Sequence, residues 1–154
     1  MQPLPMNELV KSQLDAAGFD VTIKTMDWNA LLDVYRAGVE KFPEYSGLNF
    51  SRGLLDPVNA IIKPAVKAYW APAGSNWGHY THPDAEALVE RIFTEFDTEK
   101  RLELLVALHE LLGRDAAMIF VVHDLNPRAL SPKLKGFVQA QSWFQDLTPV
   151  SVTP

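Results

Sequence analysis

The hydrophobic positions change period several times along the chain, and each change marks an element. Val10, Leu14 and Ala17 recur at helical spacing, and Gly18 follows as a C-terminal stop. Val21, Ile23 and Thr25 then alternate as a half-buried strand does. Leu31, Leu32 and Tyr35 line one face of a second helix, with Asp27 as its N-cap and Gly38 at its end. "YSGLNFS", residues 45–51, is short and aromatic and leads to Gly53, Asp56 and Pro57, a pattern that predicts a strand running into a turn.

The texture then changes. Residues 57–63 fit a short helix that Pro64 interrupts, and the aromatic, Gly- and Pro-rich stretch that follows predicts a long loop. Loops of this length inside compact domains are commonly functional or mobile. Two helical patterns come next. The first has Pro83 at its first position and Leu88, Ile92 and Phe96 on one face. The second follows Asp97 as N-cap, with Lys100 at the position where a capping box wants Glu or Gln. The two helices are expected to pack on each other. "AAMIFVVHD", residues 116–124, is an apolar run without helical period, as in a strand covered on both faces. From Leu125 onward four prolines and no clean period predict short extended pieces. Helices alternating with strands imply an α/β class with a parallel sheet and right-handed crossovers.

Composition narrows the function. The 154 residues suit one domain with a sizeable core, and 47 % hydrophobic against 21 % charged residues places the chain in the globular class. A net charge of -5 with no basic cluster argues against a nucleic-acid partner. With no cysteine, disulfides, thiolate metal sites and a Cys nucleophile are all excluded. "MQPLPMNELV" has no basic region followed by an apolar core, and no run is long enough to span a bilayer, so the chain as written is expected to be soluble.

Catalytic signatures are missing: there is no G-x-S-x-G, P-loop or G-x-G-x-x-G, and the acidic residues of 84–103 mix with basic ones as on a solvated helix face. No catalytic residue is assigned and no enzyme is expected. His79 and His82 lie three apart but precede a helix, His109 is mid-helix, and His123 closes a strand. That spacing matches no recognised ligand motif, so neither a metal nor another cofactor is expected.

The order of several stretches carries a resemblance: "LVKSQLDAAGFDVTIKTMDWNALL", Asp56-Pro57 after a strand, "NWGHYTHPDAEALVERI", "DTEKRLELLVALHELLGRDAAMIFVVH", "LSPKLKGF" and "WFQDLTPVSV". The chain resembles the C-terminal portion of the bacterial extracellular solute-binding proteins of the peptide/nickel class, family 5, the ligand-capturing subunits of ABC importers. The resemblance implies a fragment with a type II periplasmic-binding-protein-like fold: a three-layer α/β lobe with a mixed, mostly parallel sheet and helices on both faces. Residues 1–124 would form most of one lobe, and residues 125–154 an extended segment returning toward the other lobe. It further implies a small-molecule solute, ABC permease subunits as partners, and a periplasmic or cell-surface location for the full-length protein. Extended segments left without a neighbour could also pair two copies of the chain into a homodimer.

In open α/β sheets ligands sit beyond the carboxyl ends of strands, which turns attention to "NFSRGLLDP". Peptide-binding relatives carry a tryptophan on this strand and, three residues later, an aspartate for the ligand's amino terminus; counted back from Pro57, those positions are Phe50 and Gly53 here. Losing the carboxylate and gaining Arg52, a planar donor fork, favours an anionic or carboxylate-bearing solute over an ordinary peptide. Arg52 has a second reading as an exposed residue or a partner of Asp56. Asp56 is a ligand candidate that also suits an N-cap before Pro57. Trp70, Trp77 and Tyr80 either clamp a ligand or pack on the following helices. An alternative function uses the same loop, residues 65–81, as the docking surface of a free-standing α/β protein-interaction domain.

Overall fold

The structure, a computed structural model, describes residues 3–51, 56–122, 127–140 and 144–153. Four helices dominate it: α1 (Pro3–Ala16), α2 (Trp28–Ala37), α3 (Pro83–Thr94) and α4 (Thr98–Arg114). Each end is explained by its residues. α1 stops where Gly18 adopts φ 95°, and Phe19 N–H bonds back to Leu14 O at 3.1 Å. Asp27 caps α2 through bonds from Asn29 N–H and Ala30 N–H at 2.9 and 3.2 Å. Pro83 opens α3, and the cap there is the His82 imidazole, whose Nδ1 accepts Asp84 N–H at 3.1 Å. Asp97 caps α4 by accepting from Glu99 and Lys100. Lys100 cannot reciprocate, and Glu95 does so instead, its Oε1 accepting Asp97 N–H at 2.8 Å.

Between α2 and α3 the chain makes short, tight turns. Lys63 N–H bonds to Val58 O, closing one π-helical turn over Val58–Ile62, and a 3-10 turn follows at Lys63–Ala65. Pro64 has no amide hydrogen to continue an α-helix, as the sequence indicated.

The core lies between α3, α4 and these turns. Ala85, Val89 and Ile92 of α3 face Leu104, Leu108, Leu111 and Leu112 of α4, with Ile62, Ala65 and Val66 closing the third side. Burying a side chain such as Leu108 contributes about 1.5 to 3 kcal/mol. The α3 face differs from the expected Leu88, Ile92 and Phe96. Leu88 only flanks the core, and Phe96, 95 % exposed, lies in the turn after α3 has ended at Thr94.

The sheet is where expectation and structure part. Among the described residues the only strands are β1 (Leu134–Lys135) and β2 (Ser151–Val152), paired antiparallel with Leu134 opposite Val152. The mostly parallel sheet with helices on both faces is not shown. Residues 21–25, 45–51 and 116–122 have strand-like sequences but no ladder. A strand has no internal hydrogen bonds and exists only beside a neighbour. Around Val21 side chains stand in for one: its amide donates to Asp15 and its carbonyl accepts from Lys11. No helix among the described residues is long and apolar enough to cross a membrane.

Candidate functional site

The candidate site is built on α2. Trp28 and Tyr35 are seven residues apart and share one face of the helix. Phe50 stacks with both rings: its centroid is 4.2 Å from Tyr35 at 8° and 5.4 Å from Trp28 at 22°. Tyr35 is pinned at its far end, where the hydroxyl donates to Ser75 O at 2.8 Å. The indole of Trp28 is 55 % exposed. The result is a stepped aromatic face, of the kind that takes planar or apolar parts of a ligand. Sequence reading found Phe50 but not Trp28. The signal was present as two aromatics at i and i+7, of which only Tyr35 was counted.

Arg52 and Gly53 lie outside the described residues. Asp56 is placed, and it acts as a cap: its Oδ1 accepts Val58 N–H at 2.8 Å and Asn59 N–H at 3.3 Å. Those bonds satisfy the amides that the first turn leaves open.

The three ligand candidates of the 65–81 loop, Trp70, Trp77 and Tyr80, are engaged within the protein. Trp70 stacks on His79 at 4.8 Å and 9°, and its Nε1–H donates to Tyr80 O at 3.1 Å. Tyr80 donates its hydroxyl to Asp115 at 2.7 Å. Burial, and then the neighbouring Asp115 carboxylate, push this phenol's pKa well above its ordinary range. Trp77 passes its carbonyl to Val39 N–H at 3.0 Å, while its indole nitrogen is buried without a partner among the described residues.

At the centre of the loop is Asn76, 2 % exposed and unnoticed in the sequence reading. Its Nδ2 donates to Val66 O and Tyr80 O at 3.2 and 2.7 Å, and its Oδ1 accepts Tyr80 N–H at 3.1 Å. Such a residue replaces a strand partner for backbone that folds back on itself. Two glycines permit the close approach. A Cβ on Gly74 would lie 2.4 Å from Tyr69 O, and one on Gly38, at φ 85°, would lie 2.9 Å from Ala71 Cβ. Glu86 of α3 ties the loop down, its Oε1 accepting from Lys67 N–H and Thr81 Oγ1 at 2.7 and 3.0 Å.

His79 and His109 are likewise placed by packing, while His123, expected to close a strand, lies outside the described residues. His79 Nε2 is 2.8 Å from Ala71 O and its Nδ1 is 3.3 Å from Glu40 Oε1; His109 lies against Phe120. Among the described residues, no three of His, Asp or Glu converge as metal ligands do. An open depression of about 590 Å³ lies elsewhere, between α1 and residues 20–25, and its charged lining includes Lys11 and Glu8. Comparison with family models, with curated proteins and with solved structures finds no match.

Proposed function

We propose that this chain is the ligand-binding lobe of an ABC-importer extracellular solute-binding protein, and that it captures a small anionic or carboxylate-bearing solute by hinge closure. In this reading the fold is a type II lobe with a mostly parallel sheet, and the full-length protein works in the periplasm or at the cell surface and delivers its solute to permease subunits. The chemistry is binding alone: the solute bridges two lobes and stabilises the closed form. Affinity in such a clamp draws on both lobes, so one lobe by itself binds weakly.

The observation that carries the reading is the Trp28–Phe50–Tyr35 stack, whose Phe50 stands two residues before Arg52 in the sequence. With Arg52 close in sequence to such a face, a carboxylate-bearing ligand would find an apolar surface and, in this reading, a bidentate donor. The alternative, a protein-interaction domain docking through residues 65–81, draws less support, because Trp70 spends its indole N–H on the loop itself and Tyr80 its hydroxyl on Asp115 at the end of α4.

Native mass spectrometry of the full-length protein, purified gently from its own host, tests the proposal. A co-purified small anion that is retained by wild type and lost in both Arg52→Ala and Phe50→Ala supports it. Protein free of any small molecule, or a bound mass indifferent to both substitutions, overturns it.

A further inference from the structure

Residues 57–83 carry Lys63, Lys67, His79 and His82 but no Asp or Glu, in a chain whose net charge is -5. The two lysines stand on rings. Lys63 Nζ lies 5.9 Å from the Tyr69 ring centroid and Lys67 Nζ 5.3 Å from that of Trp70, both within cation–π range. The rings are themselves fixed. Tyr69 packs on the α3–α4 core, and Trp70 stacks on His79 and donates its indole N–H to Tyr80 O. Lys67 is exposed and Lys63 half-buried, and among the described residues neither ammonium is paired with a carboxylate. Carboxylates do reach this stretch, but they go to other groups: Asp56 to the amides of Val58 and Asn59, Glu86 to Lys67 N–H and Thr81, Glu40 to His79, and Asp115 to the Tyr80 hydroxyl. Two ammonium groups are thus steadied by rings and left without a paired counter-charge.

We propose that Lys63 and Lys67 form a docking surface for a carboxylate-rich segment of another protein. Charge complementarity selects this partner. A segment bearing several carboxylates engages both cations, whereas a lone carboxylate gains little from one exposed ammonium. A broad anionic surface, such as lipid headgroups, meets the negative charge spread over the rest of the protein along with the two lysines and is repelled. A narrow peptide segment meets the lysines locally, because charges more than about 10 Å away are screened at ordinary ionic strength. The rings lower the cost of the contact by holding the long lysine side chains before a partner arrives. This inference does not rest on the solute-binding reading: the ammonium groups make the contact, and the rings serve as their supports.

Fluorescence anisotropy of a fluorescein-labelled hexaglutamate peptide, titrated with the full-length protein, tests it. Saturable binding is expected at low ionic strength, with a dissociation constant of about 0.1 to 1 mM that rises at least fivefold in about 0.5 M salt. Carbodiimide coupling is expected to join the peptide to Lys63 and Lys67, as mass-spectrometric mapping reads. Lys63→Glu combined with Lys67→Glu weakens binding at least tenfold, whereas Lys63→Arg combined with Lys67→Arg keeps it. Circular dichroism verifies the fold of each variant. Lys63→Gln combined with Lys67→Gln adds no new charge and reads the same loss should the reversed pair not fold. No binding, binding that neither the glutamate nor the glutamine pair weakens, coupling confined to other lysines, or capture of phosphatidylglycerol vesicles in place of the peptide overturns the proposal.

Discussion

Residues 58–112 and residues 116–153 both carry many large apolar side chains, but they use them differently. In the first region Ile62, Ile92, Leu108 and Leu112 are fully enclosed. In the second Ile119, Val138, Phe144, Leu147 and Val152 are each more than 60 % exposed. The difference is one of backbone as much as side chain. α3 and α4 close their own hydrogen bonds, so each needs only a neighbour for one apolar face. A strand-like run needs a neighbour for its backbone as well, and among the described residues the second region supplies one only where Leu134–Lys135 meets Ser151–Val152.

Substitutions on the two sides of this contrast give the largest expected difference. Leu108→Ala removes a fully buried side chain from the α3–α4 contact and is expected to cost about 2 to 5 kcal/mol. Ile119→Ala, at 63 % exposure, is expected to stay within about 0.5 kcal/mol in dilute solution. Urea unfolding of both variants measures the gap. Equal costs would mean that the second region is covered in solution and that the contrast drawn here is wrong.

The loop joining the turns after α2 to α3 is held by polar groups, and Asn76 tests how firmly. Asn76→Ala leaves Val66 O, Tyr80 O and Tyr80 N–H without the partners they have now. The expected loss is about 3 kcal/mol, since buried unsatisfied groups cost about 1 to 3 kcal/mol each and water recovers part of it. Thermal unfolding reads the effect. A cost under about 0.5 kcal/mol would show that the loop does not depend on this side chain.

What could be read in advance follows the same division. The caps at Asp27 and Asp97, the opening of α3 at Pro83 and the break at Pro64 were legible because each depends on residues within one turn of itself. The α3 face was misread by one step: Ile92 lies on two overlapping apolar rows, and only the position of α4 selects the row through Ala85 and Val89. The strands were legible as sequences and not as structure, because pairing is a property of two segments. In the candidate site, Phe50 was singled out but its partners on α2 were not. Stacking against Trp28 and Tyr35 depends on where a later segment crosses the helix. Asn76 carried no local signal beyond its place between Gly74 and Gly78.

Helix caps and titrating groups probe the contrast more gently. Asp97→Ala is expected to cost about 1 kcal/mol, because the α4 amides of Glu99 and Lys100 lose their acceptor. Denaturant midpoints check this, and a midpoint equal to wild type would show that water caps α4 as well as Asp97 does. Tyr80 adds a dependence on alkaline pH. Its folded-state pKa is raised, so its contribution is present below the ordinary phenol range of about pH 10 and is lost as pH rises beyond it. Stability measured between neutral and strongly alkaline pH is therefore expected to fall more steeply in wild type than in Tyr80→Phe. Parallel curves would mean that the Tyr80–Asp115 contact does not survive in solution.

The smallest expected effect comes from α1, where fixed charges stand in for a missing strand neighbour. Lys11 Nζ bonds to Asp15 at 2.8 Å, and both also reach the backbone of Val21. The Lys11 bond, aided by Val21 N–H, holds the Asp15 carboxyl below the usual carboxylate range. A depressed folded-state pKa contributes stability that is present above the ordinary value, near about pH 4, and is lost as pH falls through the folded-state value. Wild type and Asp15→Asn are thus expected to differ slightly at neutral pH and to converge in acid. Because the pair is exposed, added salt should shrink even that difference. A difference that persists in both acid and high salt would point to the shape of the carboxyl group, not its charge, as what holds Val21 against α1.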